Sequence, residues 1–325
     1  DSVYSFKCSD VQRQMRKDIF EPKKTAISAS ISAGAATIGV YKTAEFEMVK
    51  QPASPSGITD APGQKVGYLM LSNGCIVRYT GKTSASFTGC TWGVFDTQHL
   101  IENIEKPSDA GADNAPSVTE FVYLEMPAVM LAYALLTGSL YNDPGEFLPD
   151  HWHLGIDGQY IRTADFINIG NDWWNLSNND DGVPAVIKGV KKTDGKKFIE
   201  EQLYMMLGAF SPVYANGELG LKRMTVIPSQ GGYVRELTAD NIVSYGSLTH
   251  DMKSVINFAV LDWNYVVSKE GYTRKNIMPD TLSIARHGQS DTKELKFRTL
   301  ETSRHSYSTI KSRFDSLRDR YAGPP

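Results

Sequence analysis

The run from Val118 to Leu136 is the most apolar window of the chain, and it constrains the fold more than any other segment. It carries Glu120, Glu125 and Pro127. A bilayer-spanning helix needs ~18 or more consecutive apolar residues, and two acids with a proline break that requirement. The run therefore reads as an element buried in a protein core. No other stretch comes nearer to a span, and the opening residues show no secretory signal. The chain begins at Asp1 rather than Met, which reads as a processed product or a part of something longer.

With 325 residues, of which 41% are hydrophobic and 22% charged, the chain has ample material for more than one core, and two domains are the expectation. A net charge of −3 lacks the basic excess of proteins that track phosphates, which argues against nucleic acid as the main partner. The basic clusters at Lys23–Lys24, Lys188–Lys197 and Arg313–Arg320 read as solvated faces. Cys8, Cys75 and Cys90 form no Cys-x-x-Cys pair, and their odd number argues against a disulfide framework. Buried free thiols from a reducing compartment fit better.

Local pattern predicts an α+β chain that is mainly β. Ser9 and Gln12 form a capping box, with Val11, Met15 and Ile19 on one face of a helix that Glu21-Pro22 ends. Short strands follow between Thr25 and Val49. Val66, Tyr68 and Met70 alternate toward a hairpin turn at Asn73-Gly74, and a further strand pair runs from Phe87 to Val94. Residues 1–105 thus read as a small α+β module, 106–118 (with Pro107, Gly111 and Pro116) as a linker, and 119–325 as a β-rich domain with helices. In that last part a buried helix, Ala128 to Leu136, begins after Pro127 and is closed by Gly138. An amphipathic helix runs from Lys197 to Phe210, capped by Thr193 or Asp194. A hairpin turns at Asn216-Gly217, Ser254 to Ser268 suits a long central strand, and Thr309 to Tyr321 closes the chain as a helix.

Motifs that carry chemistry are sparse. Arg286-His287-Gly288 resembles the signature of the histidine phosphatases, but only 37 residues follow Gly288 and the family's pocket needs far more. The expectation there is a strand end with a turn glycine. His151 and His153, beside Asp150 and Trp152, invite a zinc reading, yet no His-Glu-x-x-His helix or Cys pair supplies further ligands, so packing is expected. Asp180-Asp181 sits in an Asn- and Gly-rich turn without the alternating acids of a calcium loop. No Gly-x-Ser-x-Gly elbow or phosphate-binding glycine loop appears. The adjacent Trp173 and Trp174 are candidates for an interface anchor or a sugar-stacking platform; a segment buried on two sides is the third option.

Three stretches resemble the tail-tip baseplate hub and hub-like tail proteins of long-tailed bacteriophages and gene transfer agents. The first is Ile76-Val77-Arg78-Tyr79-Thr80-Gly81 with Phe87 to His99, in which Trp92 and Asp96 replace an arginine and a glycine of the family pattern. The second comprises Thr137-Gly138, Leu148-Pro149 and Trp152-His153-Leu154-Gly155-Ile156, with His153 where glycine is usual. The third runs from Ser283-Ile284 through His287-Gly288 to Arg320-Tyr321.

The resemblance implies β-barrel or sandwich units like those of the tail tube, with packed helices, assembled as a homotrimeric ring in the virion. Such a non-enzymatic subunit would join the tail tube to the tip, contact other tail proteins such as a distal ring, fibre or spike, and pass DNA in transit. Some members of the family hold an iron–sulfur cluster on four cysteines; the three widely spaced cysteines here do not match that set, so no cofactor is expected. The alternatives are a tail-associated cell-wall hydrolase and a host-surface carbohydrate-binding module using Trp173 and Trp174.

Overall fold

The computed structural model describes residues 15–50, 64–140, 145–173, 184–189, 191–223, 257–288, 292–302 and 310–311. Strand exceeds helix, 35% to 21%, so the chain is α+β and mainly β. The opening helix expected from Ser9 lies largely outside the described residues. Where the description begins, Asp18–Ile19 is a short strand, β1, instead. The next residue, Phe20, sits at φ 60 and donates its N–H to the His151 carbonyl at 2.7 Å, which ends any regular run there.

Strands β2 (Lys24–Ala26), β3 (Thr37–Gly39), β4 (Val49–Lys50), β5 (Lys65–Leu71), β6 (Ile76–Tyr79), β7 (Gly81–Lys82), β8 (Ser86–Thr88), β9 (Thr91–Trp92) and β10 (Ser117–Glu120) build two facing sheets. The larger runs β2-β10-β5-β6-β9, with β4 also on β5; the smaller runs β3-β8-β7. Strand alternation sorts the residues of β5 and β6. Leu69, Leu71, Val77 and Tyr79 face Ile38 and Phe87 of the smaller sheet. Val66, Tyr68 and Ile76 face away, onto Phe121, Tyr123 and Val186. Both faces of the larger sheet are therefore covered, which explains why β5 and β6 are apolar almost throughout. The expected hairpin at Asn73-Gly74 forms, with Gly74 at φ 84.

The proline-rich stretch read as a linker is tied down at several points. Lys106 N–H reaches Ser30 and the Pro116 carbonyl accepts from Ile27 N–H at 3.0 Å, while just ahead of the stretch Ile104 exchanges both backbone hydrogen bonds with Ile31. Its last two residues, Ser117 and Val118, already belong to β10, which pairs with β2 on one side and β5 on the other. The pair expected between Phe87 and Val94 also divides, since β8 joins the smaller sheet and β9 the larger.

The second core surrounds helix α1 (Ala128–Thr137). Strand β11 (Tyr123–Pro127) leads into it and pairs with β12 (Pro184–Lys188). Pro127 stops the ladder because it has no N–H, and its fixed φ suits the turn into a helix. The helix is buried on nearly all sides, as an Ala- and Leu-rich segment without a polar face should be, and each fully buried leucine contributes about 1.5–3 kcal/mol. Gly138 closes it at φ 87.

Around α1 pack α2 (Thr163–Trp173) and α3, which spans Gly195–Phe198, a π-turn at Ile199–Tyr204, and Met205–Leu207. The Asp194 side chain caps α3, accepting from Lys197 N–H at 2.8 Å. Asp194 also lies in β13 (Thr193–Asp194), the partner of β1. Next come β14 (Ala209–Phe210) and β15 (Lys222–Arg223), joined through a tip where Gly217 takes φ 85.

The expected long strand is β16 (Phe258–Val266), paired with β17 (Gly271–Pro279) and, in parallel, with β18 (Lys293–Lys296). The stretch around Arg286-His287-Gly288, expected as a strand end, is instead helix α4 (Thr281–His287). Asp280 caps it by accepting from Ser283 N–H at 2.9 Å, and Gly288 ends it at φ 78. The closing helix lies outside the described residues except for 310–311.

Candidate functional site

The residues with chemical potential fall into three places. The first is the loop 149–156, which threads between the end of α1 and β10. Leu154 and Ile156 N–H groups bond the carbonyls of Leu135 and Leu136 at 2.8 and 2.9 Å, docking the loop on the end of α1. From it His151 Nε2 reaches Glu120 Oε2 at 2.6 Å, and the Glu120 side chain is only 2% exposed. Lys23 N–H also donates to that oxygen at 3.2 Å. Trp152 is buried, and so is His153, packed against Gly138. Burial above all, with help from the Lys17 ammonium, holds His153 below the usual histidine range. Lys17 Nζ in turn donates to the carbonyls of Asp150 and His153, both at 3.2 Å.

The two imidazoles thus serve separate partners, one an acid on β10 and the other a glycine at a helix end. Among the described residues no three His, Cys, Asp or Glu side chains converge as a metal set. Beside the loop lies an open groove of about 360 Å³, lined by Glu45, Glu47, Lys65, Phe147, Asp150 and His151 among others.

The second place is the junction between the two cores. Phe95, at φ 57, meets the Tyr123 ring at 4.7 Å and the Phe121 ring at 5.6 Å. The Lys188 ammonium lies 5.2 Å above the Phe95 ring and 2.5 Å from Glu301. Tyr123 donates its hydroxyl to Glu125. Desolvation, followed by the Glu125 charge, pushes the Tyr123 hydroxyl far above its usual ionisation range, so it stays a donor. A buried acid satisfied by a phenol and a buried ion pair backed by a ring fasten the two cores together.

The third place is the sheet of β16, β17 and β18. Asp262 stands between Lys275 on one neighbour and Lys296 on the other, at the same register. A shallow hollow of about 380 Å³ is bounded by these three with Tyr272, Thr273 and Arg274. Asn264, at φ 58, bonds Thr273 and the Thr302 N–H, anchoring the hairpin to the chain that follows β18.

Of the residues singled out from sequence, Trp173 ends α2 and Trp174 lies outside the described residues. Arg286 is exposed on α4. Cys75 and Cys90 are free thiols, and burial pushes Cys90 up to about 11. Sequence reading missed the Glu120–His151 pair and the Glu125–Tyr123 contact. Their signal was present: two acids inside the most apolar window require buried partners. No known protein-family model matches the chain, and comparison with curated proteins finds no match.

Proposed function

We propose that this chain is a structural subunit of a bacteriophage tail tip, a baseplate hub or hub-like protein that assembles with copies of itself, as a homotrimer, in the virion. In this reading it joins the tail tube to the tip, contacts other tail proteins and helps form the path by which DNA leaves. The observation that carries the reading is the use made of the residues behind the resemblance. In the first stretch Gly89 takes φ +63, and a Cβ there would meet the Thr80 hydroxyl at 2.1 Å. Gly93 takes φ +76, and a Cβ there would come within 2.8 Å of the Gln98 backbone. In the second stretch Gly138 makes room for the His153 ring, and the Leu154 and Ile156 N–H groups dock on α1. In the third, Gly288 ends α4 and its carbonyl accepts from the buried Asn257 at 2.8 Å. Motifs that close packing junctions are what a scaffold requires.

Mass photometry of the purified chain over a range of concentrations, with immuno-electron microscopy of virions, tests the proposal. Trimers and a label at the distal end of the tail are expected. A chain that stays monomeric, or a label elsewhere on the particle, overturns it.

A further inference from the structure

We propose that the groove beside loop 149–156 and the hollow on the β16–β17–β18 sheet are the two halves of one contact, made between successive copies of this chain. The inference rests on the reading of the chain as a self-assembling subunit and supplies the surfaces involved.

The two concavities have opposite charge. In the groove Lys65 pairs with Glu146 at 2.7 Å, and Lys42 with Glu45 at 2.8 Å. That leaves the carboxylates of Glu47 and Asp150 without a lysine or arginine ion pair among the described residues, while the Lys17 ammonium bonds the Asp150 backbone carbonyl at 3.2 Å. Asp150 is fully exposed, and its neighbour at 3.6 Å is His153, whose burial disfavours the charged ring. In the hollow, Lys275 lies 4.0 Å from Asp262, and Lys296 lies 3.5 Å from Glu294. Arg274 is exposed and has no ion pair among the described residues.

A large apolar side chain stands in the open in the groove, and another beside the hollow. Phe147 lines the groove and is 65% exposed. Ile277, 60% exposed, lies two residues from Lys275 on β17 and so on the same face of the sheet. An exposed apolar anchor ringed by charge is the anatomy of an interface centre and rim.

A second copy of this chain is the occupant that these features select, because the complement to each surface is found on the other. Two different patches that fit each other give a heterologous contact, and repetition of such a contact closes a ring where its rotation closes. An isologous contact centred on the groove alone would instead set acid against acid.

Charge reversal tests the proposal. One variant carries Arg274→Glu with Lys275→Glu; the other carries Glu47→Lys with Asp150→Lys. All four positions sit on exposed or open surface, and circular dichroism checks that each variant keeps the fold. Mass photometry at low and high salt is expected to show each variant alone assembling about tenfold more weakly or worse than the parent, whose assembly itself weakens with salt. A chain carrying all four substitutions is expected to assemble again, since its groove is then basic and its hollow acidic. Assembly untouched by reversal and salt overturns this contact while leaving the subunit reading in place. A four-fold variant that assembles no better than the two double variants overturns the pairing of these two surfaces. A parent chain monomeric at every concentration overturns both readings.

Discussion

Gly138 shows how much rests on one residue. It takes φ +87, where side chains are strained, and a Cβ there would lie 2.6 Å from the His153 ring. Gly138→Ala is therefore expected to cost about 1–3 kcal/mol in urea unfolding. Adding His153→Ala should recover part of that loss if the ring is the obstacle, and a purely additive double variant would count against the contact. His153 itself gives a pH dependence. Its folded value lies below the ordinary 6.5, so the unfolded chain takes up the proton first as pH falls. Its contribution is complete above about 6.5 and is lost progressively below that. Urea midpoints at pH 7.5 and about pH 5.5 should differ more for the parent than for His153→Gln. His151 acts differently, since its removal leaves the buried Glu120 carboxylate with only the Lys23 N–H on that oxygen. His151→Ala is expected to cost about 3 kcal/mol, and the loss should shrink when Glu120→Ala is present as well. The glycine's role was readable in the sequence as a helix end. The histidines' separate roles were not, because a spacing of two says nothing about which element each ring will meet.

Among the elements, α3 and α4 show what pattern carries and what it omits. Apolar spacing and the Asp194 cap were enough to find α3, but not its π-turn. That turn, Ile199–Tyr204, includes Gln202, whose side chain donates to the Lys296 carbonyl at 3.0 Å and accepts from Arg298 N–H at 2.9 Å. The Gln202 carbonyl accepts in addition from the Thr299 hydroxyl at 3.2 Å. These bonds join elements about ninety residues apart, so local sequence holds no sign of them. Gln202→Ala is expected to destabilise by about 1–3 kcal/mol and to speed amide exchange at Arg298 more than in β16. Uniform exchange across the sheet would show that Gln202 does not hold this junction. For α4 the misleading signal was Arg286-His287-Gly288, which suits a strand end as well as a helix end. The deciding residue was Asp280, a helix-capping type directly after Pro279.

At the scale of the molecule, local pattern identified a mainly β chain and length gave material for more than one core, whereas the sharing of strands between sequence regions had no local sign. Prolines near residue 110 mark irregular chain, and they conceal that β10, directly beyond them, is an interior strand of the larger sheet. Ring closure belongs to this scale too, and the paired charge reversals described above address it. The position of β10 also bears on how the protein is made. A nascent chain leaving the ribosome presents β2 and β5 long before the strand that must lie between them, and β1 waits longer still for Thr193–Asp194. Translation halted near residue 105 would leave two unpaired β edges, an invitation to chaperones or to aggregation.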